Sequence, residues 1–128
     1  MVAIKNAGKR TGEIQVGNIS LVRDFVDVRD VVRAYYFLFE KGIKGEVYNI
    51  CSSNGSSLES ILNKIANILG LSITIKADNN LMRPGDIQKI IGSHDKITNH
   101  TGWLPEIPIN KSLIDIIEYW TKKDIPHN

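Results

Sequence analysis

Tyr119 and Lys123 fall in Tyr119-Trp120-Thr121-Lys122-Lys123, a spacing that could set a phenol beside an ammonium and pass a proton to a carbonyl. The pair sits at the tail of an amphipathic stretch, near the last residue, with no cofactor segment before it. It reads as a chance match. Gly42 and Gly45 lie near a β-rich run but precede it, whereas a phosphate-cradling turn needs its glycines after a strand and opening a helix. His94, His100 and His127 lack the i,i+4 pairing or the companion carboxylates of a zinc site, and they read as surface residues. Cys51 follows a β-branched run and reads as a buried, inert thiol. Asp24, Asp27, Arg29 and Asp30 form a dense charge run that invites acid–base chemistry. Alternating charge at a helix start is nevertheless a common structural pattern.

The bulk properties narrow the field further. A chain of 128 residues is sized for one domain with a real core, and 42% hydrophobic with 23% charged residues is ordinary for a globular protein. A net charge of +2 is too small for a nucleic-acid binder, which concentrates its bases in a stripe; Lys5, Lys9 and Arg10, with glycine between them, read as a solvated segment. One cysteine excludes an internal disulfide framework and fits a reducing compartment. No window approaches the roughly 18 apolar residues of a membrane span, and no secretory signal opens the chain, so the expected address is the cytoplasm.

The elements that must position any site come next. Residues 1–12 read as a lead-in, with Val2 to Ala7 as the frayed end of a helix, and residues 13–128 as the domain proper. Glu13 to Val16 alternates and stops at Gly17-Asn18, which predicts a strand running into a turn. Asp27 is placed to cap a helix carrying Val28, Val31, Val32, Tyr35, Tyr36 and Phe39, with Gly42 as its stop. Glu46 to Ile50 is a short β-rich run. Leu58, Ile61, Leu62, Ile65, Ile68 and Leu69 fall on one helical face between a Ser57 cap and Gly70. Ser72 to Lys76 predicts another strand. After Asn110 a last helix carries Leu113, Ile116, Ile117 and Trp120, approached through Pro105 and Pro108. Trp103 and Trp120 are expected to be packing anchors, and Asn49 to satisfy local backbone. Short strands alternating with amphipathic helices give a small α/β domain whose topology periodicity does not fix.

Three separated stretches resemble the extended short-chain dehydrogenases that modify nucleotide sugars. They are Val16-Gly17-Asn18 followed by Val22 to Tyr35 (VRDFVDVRDVVRAY), Gly45 to Ser52 (GEVYNICS), and Arg83-Pro84-Gly85-Asp86 followed by Gly102 to Pro108 (GWLPEIP). Their order and spacing resemble the C-terminal half of that family, and the likeness runs from about Gly12 to Trp120. Within the family, the first two stretches look most like the GDP-4-keto-6-deoxy-D-mannose reductases; GDP-mannose 4,6-dehydratases and other sugar epimerases or dehydratases are the alternatives.

The resemblance implies the following roles. Arg23 and Arg83 match arginines that hold the diphosphate, for which a guanidinium fork is suited. Asp86 matches an acidic residue that accepts from the ribose diol. Val16 and Leu58 match positions lining the nucleotide pocket. Each has a plainer reading: Arg23 in a salt bridge with Asp24 or Asp27, Arg83 as a surface arginine, Asp86 as a cap for Ile87 to Ile91, Val16 and Leu58 as core. The charge run supplies no catalytic residue in the family.

What the resemblance implies for function is a C-terminal, GDP-sugar-binding lobe. Its partner would be the Rossmann domain that carries NAD(P) and the catalytic tyrosine and lysine in the parent enzyme. The 128 residues alone are expected neither to bind NAD(P) nor to turn over substrate, and to involve no metal, nucleic acid or membrane. A non-catalytic nucleotide-sugar-binding module is the rival of a different class.

Overall fold

Residues 1–82 and 85–122 are described by a computed structural model. In chain order the elements are α1 (Val2–Asn6), β1 (Thr11–Val16), β2 (Val22–Asp24), α2 (Val28–Lys41), β3 (Gly55–Ser57), α3 (Leu58–Leu69), β4 (Ser72–Ala77), a 3-10 turn (Asn79–Leu81), β5 (Lys89–Ile90), α4 (Asp95–Thr101) and α5 (Ile109–Lys122). This is an α/β chain, as the alternation of short strands and amphipathic helices implies. It divides into two units of interleaved segments. One holds Met1–Leu21, Ser57–Gln88 and the chain from Leu113; the other holds Val22–Ser56 and Lys89–Ser112.

In the first unit β1 and β4 pair in parallel, from Thr11 opposite Ser72 to Val16 opposite Ala77. Parallel neighbours need a long crossover, and α3 lies on it. Every second side chain of β1 is half-buried, as the period of two requires. Ser57 caps α3 by accepting from the Ser60 amide at 3.0 Å, and Gly70 ends it in the left-handed region at φ 66°. Leu69, Leu71 and Ile117 form the buried core, with Met1, Ile4, Ile65 and Ile73 packed around them. Ile68 departs from the expected face and is 42% exposed. On α5 Ser112, Leu113 and Ile117 go inward; Ile116 is 53% exposed, and Trp120 at 42% is less of an anchor than the fully buried Trp103.

The second unit has a three-stranded sheet in the order β3-β2-β5, with β2 and β5 parallel. Its core is Ala34, Ile97 and Trp103, joined by Phe37, Leu38, Tyr48 and Ile50. The α2 limits follow the sequence: the Asp27 carboxylate accepts from the Arg29 amide, and the helix stops before Gly42. Its inward face does not. Ala34, Phe37 and Leu38 go in, while Val28, Val32, Tyr35, Tyr36 and Phe39 face out. The Glu46 to Ile50 run is extended yet has no ladder among the described residues, so it is not a strand.

Asp30 ties this unit together. Its carboxylate is buried and accepts from the main-chain amides of Glu106 (3.0 Å) and Ile107 (2.9 Å) and from Arg33 (2.7 Å). Its carbonyl takes the Trp103 indole N–H at 3.1 Å. A fully buried indole keeps its donor satisfied this way. Arg33 continues outward to the Leu104 carbonyl and the exposed Glu106 carboxylate.

Asp30→Ala strands two amides and a guanidinium in the interior. Urea denaturation is expected to show a loss of about 3–5 kcal/mol. Glu106→Gln, at the solvent end of the same network, is expected to cost about 1 kcal/mol or less. Equal, small losses for both would contradict the clasp.

Candidate functional site

Residues 16–21 are the hub of the first unit. Val16 ends β1, and its carbonyl accepts from the Asp78 amide at 2.8 Å. At Gly17 a Cβ would fall 2.6 Å from the Leu81 carbonyl oxygen, so only glycine lets the 3-10 turn close on the strand end. Asn18 then turns the chain by accepting from the Ser20 amide and hydroxyl at 3.1 and 2.6 Å. The Ile19 and Leu21 carbonyls take the first two amides of α3, from Glu59 and Leu58. Ser20 takes the Gln88 side-chain amide on its carbonyl and hydroxyl, at 2.8 and 3.0 Å. The stretches that carry Val16, Leu58 and Asp86 are thus fastened to one loop.

Val16 and Leu58 are half-buried, which leaves part of each side chain accessible. Asp86 is exposed. It follows Gly85 at φ 85°, a conformation that favours glycine. Its plainer role as a helix cap does not hold, because Ile87 to Ile91 is extended and contains β5. Arg83 lies outside the described residues, as do Pro84 and Lys123 of the Tyr-x-x-x-Lys pattern.

Arg23 belongs to the second unit. It is half-buried on β2, opposite Ile90, and donates to the Val22 carbonyl at 2.8 Å. The acids of the same stretch hold neighbouring groups. Asp24 accepts from the Ser52 amide and hydroxyl, at 2.8 and 2.6 Å, and from the Gly92 amide at 3.3 Å. Asp27 takes a bidentate fork from Arg29 with both contacts at 2.8 Å, plus the Ser112 hydroxyl. The Arg29 hydrogen bonds hold the Asp27 carboxyl far below the usual carboxylate range, against the opposing effect of its burial and with help from Ser112. With Asp30 in its clasp, the acids of the charge run all hold backbone or side-chain donors.

Beside these residues the second unit has a cavity of about 340 Å³ walled by Phe25, Ser52, Asn54, Ser56 and the Pro105–Ile109 stretch. None of the sequence-predicted site residues lines it. Its walls come from three distant stretches, which parts of the family-like segments supply, and none of these residues is assigned to a pocket by the sequence. The loop behind it carries a backbone outlier, Ser53 at φ 58°, whose hydroxyl accepts from the His94 amide at 3.1 Å.

Other candidate chemistry resolves into packing. Cys51 is buried. His94 is half-buried, bonded to Thr98 and edge-on to Trp103, and the exposed His100 bonds Tyr48. Among the described residues no group of three His, Cys, Asp or Glu could hold a metal, and no helix is long and apolar enough to cross a membrane. No described strand runs into a glycine-rich turn that opens a helix: β3 passes directly into α3, and β4 into the Asn79–Leu81 turn.

The sequence profile of the family described as GDP-mannose 4,6 dehydratase matches residues 1–116. GDP-6-deoxy-D-mannose reductase of Pseudomonas aeruginosa is 34% identical over 122 residues, covering 95% of this chain and 40% of that protein. The solved structure of RMD from Pseudomonas aeruginosa complexed with NADPH aligns with a TM-score of 0.84, over 94% of this chain and 39% of that one. UDP-glucose 4-epimerase of Thermotoga maritima, solved with UDP-glucose, aligns at 0.79 with 30% identity, over 94% of this chain and 38% of that one. The chain thus spans about 40% of the length of the relatives it matches.

The Asp27 ion pair carries a pH signature. A carboxyl depressed in the folded state adds stability above its unfolded value near about 3.9, and that stability drains away as pH falls toward the folded value. Urea midpoints should therefore fall between about pH 5 and pH 2, and fall less steeply in Asp27→Asn. Parallel slopes for the two proteins would remove Asp27 from the account.

Proposed function

The chain belongs to the GDP-mannose 4,6 dehydratase family of extended short-chain dehydrogenases, and from that premise we propose that it is the nucleotide-sugar-binding part of an NAD(P)-dependent GDP-4-keto-6-deoxy-D-mannose reductase. The observation that carries the choice of reaction is the 34% identity to GDP-6-deoxy-D-mannose reductase across 95% of the chain. The loop that ties the Val16, Leu58 and Asp86 stretches supports a site built from them.

Each role follows from the residue's chemistry. Arg23 and Arg83 grip the diphosphate, where a planar fork matches two oxygens at once and stays charged at any relevant pH. Asp86 is exposed, and a carboxylate there is suited to accept from both hydroxyls of a ribose. Val16 and Leu58 offer partly exposed aliphatic surface to a flat base. None of these residues moves a proton. They bind and orient the sugar nucleotide, and the hydride carrier and its acid–base groups belong to the rest of the parent enzyme. The proposed compartment is the cytoplasm, which suits an unpaired cysteine. The likeness to an epimerase solved with UDP-glucose makes a UDP sugar the rival ligand.

Titration of the 128-residue chain with GDP, followed by amide shifts, decides the reading. Saturable shifts at Val16, Arg23, Leu58, Arg83 and Asp86 are expected, with Arg23→Ala weakening binding about tenfold. Stronger binding of UDP would move the assignment to the rival, and shifts scattered elsewhere would end it. No turnover of the keto sugar with NADPH is expected from these residues alone.

A further inference from the structure

Two side-chain amides meet at Ser20, and the main chain fixes which way round each of them lies. The Ser20 N–H can only donate, so the Asn18 atom 3.1 Å from it is the carbonyl oxygen, Oδ1. The Ser20 C=O can only accept, so the Gln88 atom 2.8 Å from it is the amide nitrogen, Nε2. The Ser20 hydroxyl agrees with both. It accepts from Gln88 Nε2 at 3.0 Å and gives its one proton to Asn18 Oδ1 at 2.6 Å. Turning either amide over would set donor against donor or acceptor against acceptor.

The other atom of each amide therefore points away from Ser20. At Asn18 it is Nδ2, a donor, and at Gln88 it is Oε1, an acceptor. One hydroxyl bonds both side chains, so the donor and the acceptor are held as neighbours. Ser20 and Gln88 are exposed and Asn18 is half-buried, so the pair lies where a ligand can reach it. Hydrogen bonds between exposed groups add little to stability. The turn at Asn18 needs only its oxygen and does not account for Gln88, which comes from far along the chain. Asn18 lies two residues past Val16 and Gln88 two past Asp86, to which the proposed function gives base and ribose contacts. All four belong to the first unit, as does Leu58.

We infer that Asn18 and Gln88 read the edge of the base and select one that presents a C=O beside an N–H. The inference rests on the proposed function and deepens it. Guanine sets O6, an acceptor, against Asn18 Nδ2, and N1–H, a donor, against Gln88 Oε1. Its 2-amino group is a second donor for the same oxygen, which has two lone pairs. Adenine reverses the order: its 6-amino donor meets a donor, and N1 meets an acceptor. Both contacts fail. Uracil shares the order of guanine, and cytosine that of adenine. The edge separates guanine and uracil from adenine and cytosine with neutral groups alone.

Calorimetric titration of the 128-residue chain with GDP, ADP, UDP and CDP tests this. ADP is expected to bind at least about tenfold more weakly than GDP, and CDP more weakly than UDP by a similar factor. Asn18→Asp keeps the oxygen that takes both Ser20 donors and turns the outward donor into an acceptor. Its charge weakens every nucleotide diphosphate, so the readout is the GDP preference over ADP, which should fall to about threefold or less. Gln88→Met, close in size and without a carbonyl, should lower the same ratio. Both variants should keep the urea midpoint of the unaltered chain, and a purely structural role would leave base preference where it was. Equal affinity for GDP and ADP in the unaltered chain, or a ratio unmoved in either folded variant, would overturn the inference and leave the nucleotide site standing. No binding of any of the four nucleotides would remove the site and the inference together.

Discussion

Asp30, whose carboxylate takes the amides of Glu106 and Ile107 while its main-chain carbonyl takes the Trp103 indole, is the constraint on which the second unit turns. A buried carboxylate is costly unless its oxygens are filled, and here both are, by two amides and a guanidinium. That arrangement fixes where the 103–107 segment lies against α2. It thereby seats Trp103 in the core with Ala34 and Ile97. Asp24 and Asp27 work in the same manner on Ser52, Gly92 and Ser112. Acid side chains that look catalytic in the sequence are here the fasteners of irregular backbone.

The first unit solves the same problem with carbonyls. The loop from Val16 to Leu21 turns on Asn18 and gives its free oxygens to the start of α3 and to Gln88. A loop so tied is rigid enough to position side chains that would otherwise move. Val16, Arg23 and Leu58, the residues proposed to bind nucleotide, thus stand beside backbone that is held by hydrogen bonds.

Much of this was legible from residues alone. Ser57, Gly70 and the aliphatic spacing between them define α3 because capping and periodicity are local effects. Asp27 marked the start of α2 for the same reason. The inward face of α2 was not legible, because the helix is apolar on two sides and periodicity cannot choose between them. Glu46 to Ile50 has the composition of a strand, but a ladder is made by a neighbour, not by the strand itself. Trp120, at the tail of α5, is 42% exposed where Trp103 is fully buried, because burial depends on neighbours and not on aromatic character alone. Of the site, Val16, Leu58 and Asp86 came from likeness to a family. Their common attachment to one loop depends on contacts far apart in sequence, which no local pattern encodes.

The account is that these residues recognise a nucleotide chiefly by its diphosphate. Calorimetric titration of the 128-residue chain with GDP and with guanosine, side by side in one buffer, tests that most directly. GDP is expected to bind at least about tenfold tighter, with the gap narrowing as salt screens the phosphates. Equal affinities for the two, or a gap indifferent to salt, would contradict it.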